Sequence, residues 1–399
     1  MKIEKLKIEN YKVYRNMEVH DLSNFSVFLG ANGAGKSTLF DVFGFLSDAL
    51  KANVRIALNK RGGFREVHSR NASGPIKIEI KFRNDDVEGK KQPLITYSIA
   101  IGLEKGVPVI QSEVLKYRRG QYGKPYSFLD FKNGEGSAIT NEMDYFGGNT
   151  DFQDKREEQR LDSPDILAIK GLGQFQKFQA ISAFRRLLDS WFVSNFQIQA
   201  ARGIEDVALS EHLSETGDNL AQVTRFIREN HPEVFDTIIA KFRKRVPGME
   251  DVQADETQDG RIVLKFKDGS FKDPFVARYV SDGTIKMFAY LVLLNDPGKH
   301  PLLCVEEPEN YLHVELLREL AEEFREYSRR GGQVFISTHS PDFVNALEPE
   351  ELFWLKKQHG DTIIEKASDV PDIVELHRAG DQLGWLWKQG YFAGSGPMG

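Results

Sequence analysis

Gly30, Gly35, Lys36 and Ser37 fit the spacing G-x-x-x-x-G-K-[ST] inside the run FLGANGAGKSTLF, residues 28–40. These residue types at this spacing suit phosphate binding. Glycines let successive backbone N–H groups turn inward around phosphates, and Lys36 carries a cation toward the β- and γ-phosphates. Ser37 offers a hydroxyl to Mg²⁺, and a following helix N-terminus adds positive potential. Thr38 reaches the α-phosphate, and Asn32, Gly33 and Ala34 complete the binding loop. The flanks fit as well, since Phe25–Leu29 reads as a strand and Leu39, Val42, Phe43, Leu46, Ala49 and Leu50 as a helix. A glycine-rich turn without ligand is the alternative, and the four specified positions together with both flanks favour nucleotide.

A second set of reactive residues lies far along the chain. Pro301–Val305 is a short apolar strand that ends in Glu306 and Glu307. Beside a phosphate loop, carboxylates at such a strand end face the metal and the γ-phosphate. Glu306 is expected to hold Mg²⁺ together with Ser37, and Glu307 to orient or deprotonate the attacking water. The strand Val334–Thr338 delivers His339 at its carboxyl end, where it reads as a γ-phosphate sensor. The catalytic set is therefore Lys36, Glu307 and His339. Ser281 and Gly283 open a helix running to Leu294, an N-terminus whose N–H groups can meet an anion.

These residues must be positioned by a sizeable fold. The chain has 399 residues, 40% hydrophobic and 28% charged, enough to bury one large core or several smaller ones. The longest charge-free apolar run near the motifs, Met287–Leu294, is far shorter than a bilayer span, and the N-terminus alternates charge with apolar residues. The reading is a cytoplasmic protein with no membrane partner. A single cysteine, Cys304, excludes an internal disulfide and a cysteine-cluster metal site, and its apolar neighbours place it in a buried strand. The net charge of −6 gives no global nucleic-acid signature. Residues 51–70 are locally basic, and a solvated or phosphate-facing surface is favoured there over a nucleic-acid face because few aromatics are interleaved.

Between the two sets, residues 76–110 alternate as antiparallel strands. Residues 120–148 have no clear period and read as loop or hairpin tips. Helical periodicity returns at 184–192 and at 220–242 across Pro232, a hairpin follows near 261–269, and a helix spans about Glu315 to Tyr327.

In their order, these pieces resemble the ABC-type ATPases of the RecF/SMC-like group, in particular the compact bacterial AAA-family ATPases without a long coiled coil. GANGAGKS is similar to their Walker A motif, VSDGT to the signature motif, LLCVEEPENYLH to the Walker B and D-loop, and FISTHSP to the switch histidine. ETGDNLAQV and LGWLWKQGYFAG are similar to the compact subgroup. The resemblance implies an α/β P-loop NTPase of ABC-head type, with a mixed sheet, an antiparallel β subdomain and an inserted helical lid. It implies ATP and Mg²⁺ as cofactors, and a homodimer or higher homo-oligomer in which Ser281 and Gly283 of one head meet the γ-phosphate held by the other. Asn310 would then sit at the seam. Glu306 stands where aspartate is common and Asp282 where glycine is common, and no glutamine takes the Q-loop position. The expected division is a head from residues 1–115 and 272–375, a lid at 116–271 and a tail at 376–399.

Two functions compete. One is an ATP-hydrolysing switch acting in DNA maintenance or anti-phage defence, with an effector such as a nuclease on a separate chain and DNA as a possible ligand. The other is an ATP-dependent scaffold or sensor that regulates a partner without touching nucleic acid. A transporter ATPase is disfavoured, because the stretch between Lys36 and Ser281 far exceeds a transporter head's helical subdomain.

Overall fold

The computed structural model describes residues 2–83, 94–117, 126–141, 155–298, 300–358 and 360–395. They form two compact units, one within residues 1–191, 349–381 and 386–399, the other within 192–348 and 382–385.

The first unit contains β1 (Lys2–Tyr11), β2 (Tyr14–His20), β3 (Phe25–Leu29), β4 (Ile76–Arg83), β5 (Leu94–Glu104), β6 (Val107–Tyr117), β7 (Tyr126–Lys132), β8 (Glu135–Ile139) and β9 (Arg156–Arg160). All but β3 make one antiparallel sheet in the order β2-β1-β4-β5-β6-β7-β8-β9. The period-2 pattern explains it: Ile76, Ile78, Ile80 and Phe82 of β4 are buried while the residues between them are not. Strand β3 is different, with all five residues buried. It runs parallel to β17 (Leu352–Gln358), which pairs antiparallel with β18 (Asp361–Lys366). Expected as loop or hairpin tips, residues 120–148 include the β7–β8 hairpin, and residues 120–125 and 142–148 lie outside the described residues.

Helices α1 (Lys36–Lys51), α2 (Val54–Asn59), α3 (Phe64–Val67), α4 (Ala168–Leu172), α5 (Gln179–Asp189) and α12 (Pro371–Arg378) belong to the same unit. Helix α1 buries Phe40, Val42, Phe43, Phe45 and Leu46, with Trp191 edge-on against Phe43. The helix expected at 184–192 stops at Asp189 (α5), and Phe192 starts a strand. Glu113 on β6 is fully buried, where it accepts N–H bonds from Ala168 and Ile169 and the Tyr97 hydroxyl. Burial pushes its pKa up to about 7 against those donors.

The basic stretch 51–70 spends much of its charge internally. Arg61 pairs with Asp41 and Asp48, Lys60 with Asp48, Arg55 with Asp165 and Arg70 with Glu66. Asp41 also binds Lys12 and the Tyr11 hydroxyl, bracing α1 against the β1–β2 turn.

The second unit contains β10 (Phe192–Ser194), β11 (Glu205–Asp206), β12 (Met249–Glu256), β13 (Arg261–Asp268), β14 (Phe275–Val276), β15 (Leu302–Glu306) and β16 (Gln333–Thr338). Strands β10, β15 and β16 run parallel, and the stretch near 261–269 expected as a hairpin is only its second strand, β13, which pairs antiparallel with the earlier β12. Its helices are α6 (Ile198–Ala201), α7 (Leu220–Asn230), α8 (Pro232–Arg245), α9 (Asp282–Leu294), α10 (Val314–Arg329) and α11 (Pro341–Val344). Proline at the first position of α8 makes the break with α7. Every residue of α9 from Ile285 on is buried, whereas α10 buries one face through Leu317, Leu320, Ala321 and Phe324. Cys304 is fully buried in β15, and its thiol pKa is pushed well up by desolvation. Among the described residues no helix is long and apolar enough to cross a membrane.

Candidate functional site

Residues 30–35 connect β3 to α1 as a tight loop with two left-handed glycines, Gly33 (φ 79°) and Gly35 (φ 112°). A side chain on Gly30 would be crowded, its Cβ falling 3.1 Å from Ala34 Cβ and 3.2 Å from the Leu355 carbonyl. The loop's carbonyls are bound on the protein side. Tyr14 donates its hydroxyl to Gly35 O at 2.7 Å, Thr362 donates to Ala34 O at 2.9 Å, and Lys36 Nζ donates to Gly30 O at 2.7 Å. A loop anchored by its carbonyls is suited to turning amides toward an anion. Lys36 is buried, while Asn32 and Ser37 are exposed and Thr38 half-buried at the loop and the first turn of α1. Tyr14 and Thr362 carry no motif signal, and only the fold brings them to the loop.

In the second unit, β15 ends at Glu306, in register with Ser337 of β16. The next residue, Glu307, is left-handed (φ 43°), and its N–H donates to Ser337 O at 2.9 Å. A non-glycine residue held there costs energy that the surroundings must supply, a pattern concentrated at functional sites. Its carboxylate is held from two sides, with Oε1 3.0 Å from His339 Nδ1 and Oε2 accepting from Asn310 Nδ2 at 3.0 Å. The structure thus brings Glu307, Asn310 and His339 together. Glu309, which the sequence reading passed over, is buried beside them. Its Oε1 accepts from the Thr338 hydroxyl at 2.6 Å and from the His339 N–H at 3.1 Å.

Ser281 caps α9, its Oγ accepting from Thr284 N at 3.3 Å. A Cβ on Gly283 would lie 2.7 Å from the Tyr311 carbonyl, so glycine is required for the signature turn to approach the loop after β15. Asp282, the departure from glycine, is paired with Arg202. Lys286, one turn further on, was also missed. Its ammonium reaches the Glu307 carbonyl at 3.2 Å and the Asn310 carbonyl at 2.9 Å. Burial lowers its pKa to about 8, with Glu309 and Glu307 opposing the shift.

An α/β fold that carries these motifs in this order defines an ABC-type ATPase of the RecF/SMC-like group. The chain belongs to the family described as "AAA domain, putative AbiEii toxin, Type IV TA system", whose model matches residues 25–345. Its fold is similar to the Smc head bound to the C-winged helix domain of ScpA, with TM-score 0.57 and 15% identity over 92% of this chain and 98% of that one. It is also similar to the Smc head domain with an extended coiled coil bound to the C-terminal domain of ScpA derived from Pyrococcus furiosus. That comparison gives TM-score 0.51 and 13% identity over 94% of this chain and 99% of that one. A stretch of 86 residues is 33% identical to the DNA double-strand break repair Rad50 ATPase of Pyrococcus abyssi (strain GE5 / Orsay), spanning 22% of this chain and 9% of that protein.

Proposed function

We propose that the protein is an ATP-hydrolysing switch that joins head to head on ATP and acts with a separate effector in DNA maintenance or anti-phage defence. The observation that carries the hydrolytic part is the Glu307 carboxylate, set on a left-handed residue at the end of β15 and bonded to His339 and Asn310. In this reading Glu307 accepts a proton from water or orients it, and His339 senses the γ-phosphate. Lys36 and residues 30–38 bind the phosphates of the same nucleotide, while Ser281 and Gly283 serve the nucleotide of a second copy. The head is assembled from residues 1–115 and 272–375, and residues 116–271 are its lid.

The donors suit Mg²⁺. Ser37 and Glu306 offer one hydroxyl and one carboxylate, the hard oxygen ligands that Mg²⁺ takes alongside phosphate oxygens. Among the described residues no group of three or more His, Cys, Asp or Glu side chains is arranged to hold a metal ion by itself. Bound there, Mg²⁺ would neutralise charge developing on the phosphates.

The test is phosphate release by the purified full chain with ATP and Mg²⁺, with light scattering after size exclusion and with DNA or RNA added. Turnover and a doubling of mass on ATP are expected. No turnover refutes the hydrolytic reading. Turnover that no nucleic acid stimulates, with none bound at low salt, would favour the scaffold or sensor function over a DNA role.

A further inference from the structure

Lys286 is the only cation on α9, set in a helix otherwise apolar from Ile285 to Leu294. Its Nζ donates to the Glu307 and Asn310 carbonyls and lies 5.6 Å from the Tyr290 ring centre and 5.8 Å from that of Tyr311. Those carbonyls belong to a turn that begins and ends on left-handed residues, Glu307 (φ 43°) and Tyr311 (φ 69°). The bond therefore acts on the backbone of the strained residue and leaves its carboxylate to His339 and Asn310.

We propose that Lys286 is a positioning residue for hydrolysis, its buried ammonium pinning the turn from Glu307 to Tyr311 so that the Glu307 carboxylate stays aimed. The inference rests on the hydrolytic reading above. An apolar side chain of similar length would fill the space and leave two half-buried carbonyls without this donor, so the turn could relax toward ordinary backbone angles. The groups facing the ammonium are Tyr290 from α9 itself and Glu307, Glu309 and Tyr311 from the turn, with His339 beyond Glu307 at the end of β16. A lysine lowered to about 8 by burial loses charge in mildly alkaline solution, which arginine does not.

The experiment measures kcat and KM for ATP on the full chain with saturating Mg²⁺ between about pH 7 and 9.5 for the parent, Lys286→Met and Lys286→Arg. Lys286→Met should lose about tenfold or more in kcat with KM within about threefold, because the turn acts in the chemical step. Lys286→Arg should keep about a third or more of kcat, and its rate should persist at alkaline pH where the parent's falls. Should Lys286→Met fail to fold by circular dichroism, the alkaline limb of Lys286→Arg decides. The inference is overturned if Lys286→Met turns over within about twofold of an active parent, if its loss appears in KM, or if Lys286→Arg repeats the parent's alkaline decline. A parent without ATPase activity removes the hydrolytic reading itself, and this inference with it.

Discussion

His339 is tied to two different carboxylates, its ring Nδ1 lying 3.0 Å from Glu307 Oε1 and its backbone N–H donating to Glu309 Oε1 at 3.1 Å. The two acids are not equivalent. Glu309 is buried and accepts from the His339 main-chain N–H, whereas Glu307 is more accessible and offers its carboxylate to the His339 ring.

Glu307→Gln keeps shape and acceptor capacity and removes the charge that draws a proton. ATP binding should survive and phosphate release should fall by about 100-fold, trapping the ATP-bound dimer. Glu306→Gln should instead weaken Mg²⁺-dependent binding. Phosphate release together with light scattering separates the two, and parental turnover in Glu307→Gln would remove it as the base.

Lys36→Ala should cost about 100-fold in nucleotide affinity, since it deletes the cation that the loop's own Gly30 and Ala31 carbonyls now hold. Titration calorimetry with a slowly hydrolysed ATP analogue measures it. Near-parental affinity in a folded variant would mean that the phosphates bind elsewhere.

Ser281→Arg places a long cation on an exposed cap. Binding of ATP by one copy should be nearly unchanged while turnover is lost, because in the proposed dimer the serine serves the other copy's nucleotide. Mixing this variant with Lys36→Ala should restore part of the activity through one composite site. Full activity of Ser281→Arg alone would contradict the shared-site arrangement.

The buried Glu113 carboxyl makes stability depend on pH. Its folded pKa of about 7 lies above the unfolded value, so the unfolded chain releases this proton first as pH rises. Its contribution is fully present below about pH 4.5 and is lost by about pH 7. Between pH 5 and 7.5 the parent should lose about 2 kcal/mol that Glu113→Gln does not. Urea unfolding at both pH values checks this, and equal slopes for the two proteins would place the Glu113 pKa near its ordinary value.

What could be read from the sequence follows from how local each constraint is. The phosphate loop is legible because Gly33 and Gly35 need left-handed backbone, and β4 because one face alone is buried. Strands β7 and β8 were not, since YSFLDFK and EGSAI become strands through neighbours supplied by the sheet. Lys286 looks like an interruption in an apolar helix until the carbonyls of Glu307 and Asn310 are placed beside it. The charges of residues 51–70 suggest a surface face until Asp41, Asp48 and Asp165 are found among them.

The pairing of β3 with β17 bears on how the chain is made. The strand that launches the phosphate loop lies near the start of the sequence, and its parallel partner Leu352–Trp354 is translated more than three hundred residues later. On the ribosome, Phe25–Leu29 must therefore wait with that edge unpaired while the whole of residues 192–348, a contiguous segment with its own core, is synthesised and free to fold. Chains released before residue 352 would carry a largely apolar strand with this edge open, a species prone to aggregate and unable to offer the Thr362 hydroxyl to the loop. On the proposed reading, the phosphate loop is thus complete only once residues 352–362 have been made, and a product truncated before them is a substrate for chaperones or proteases.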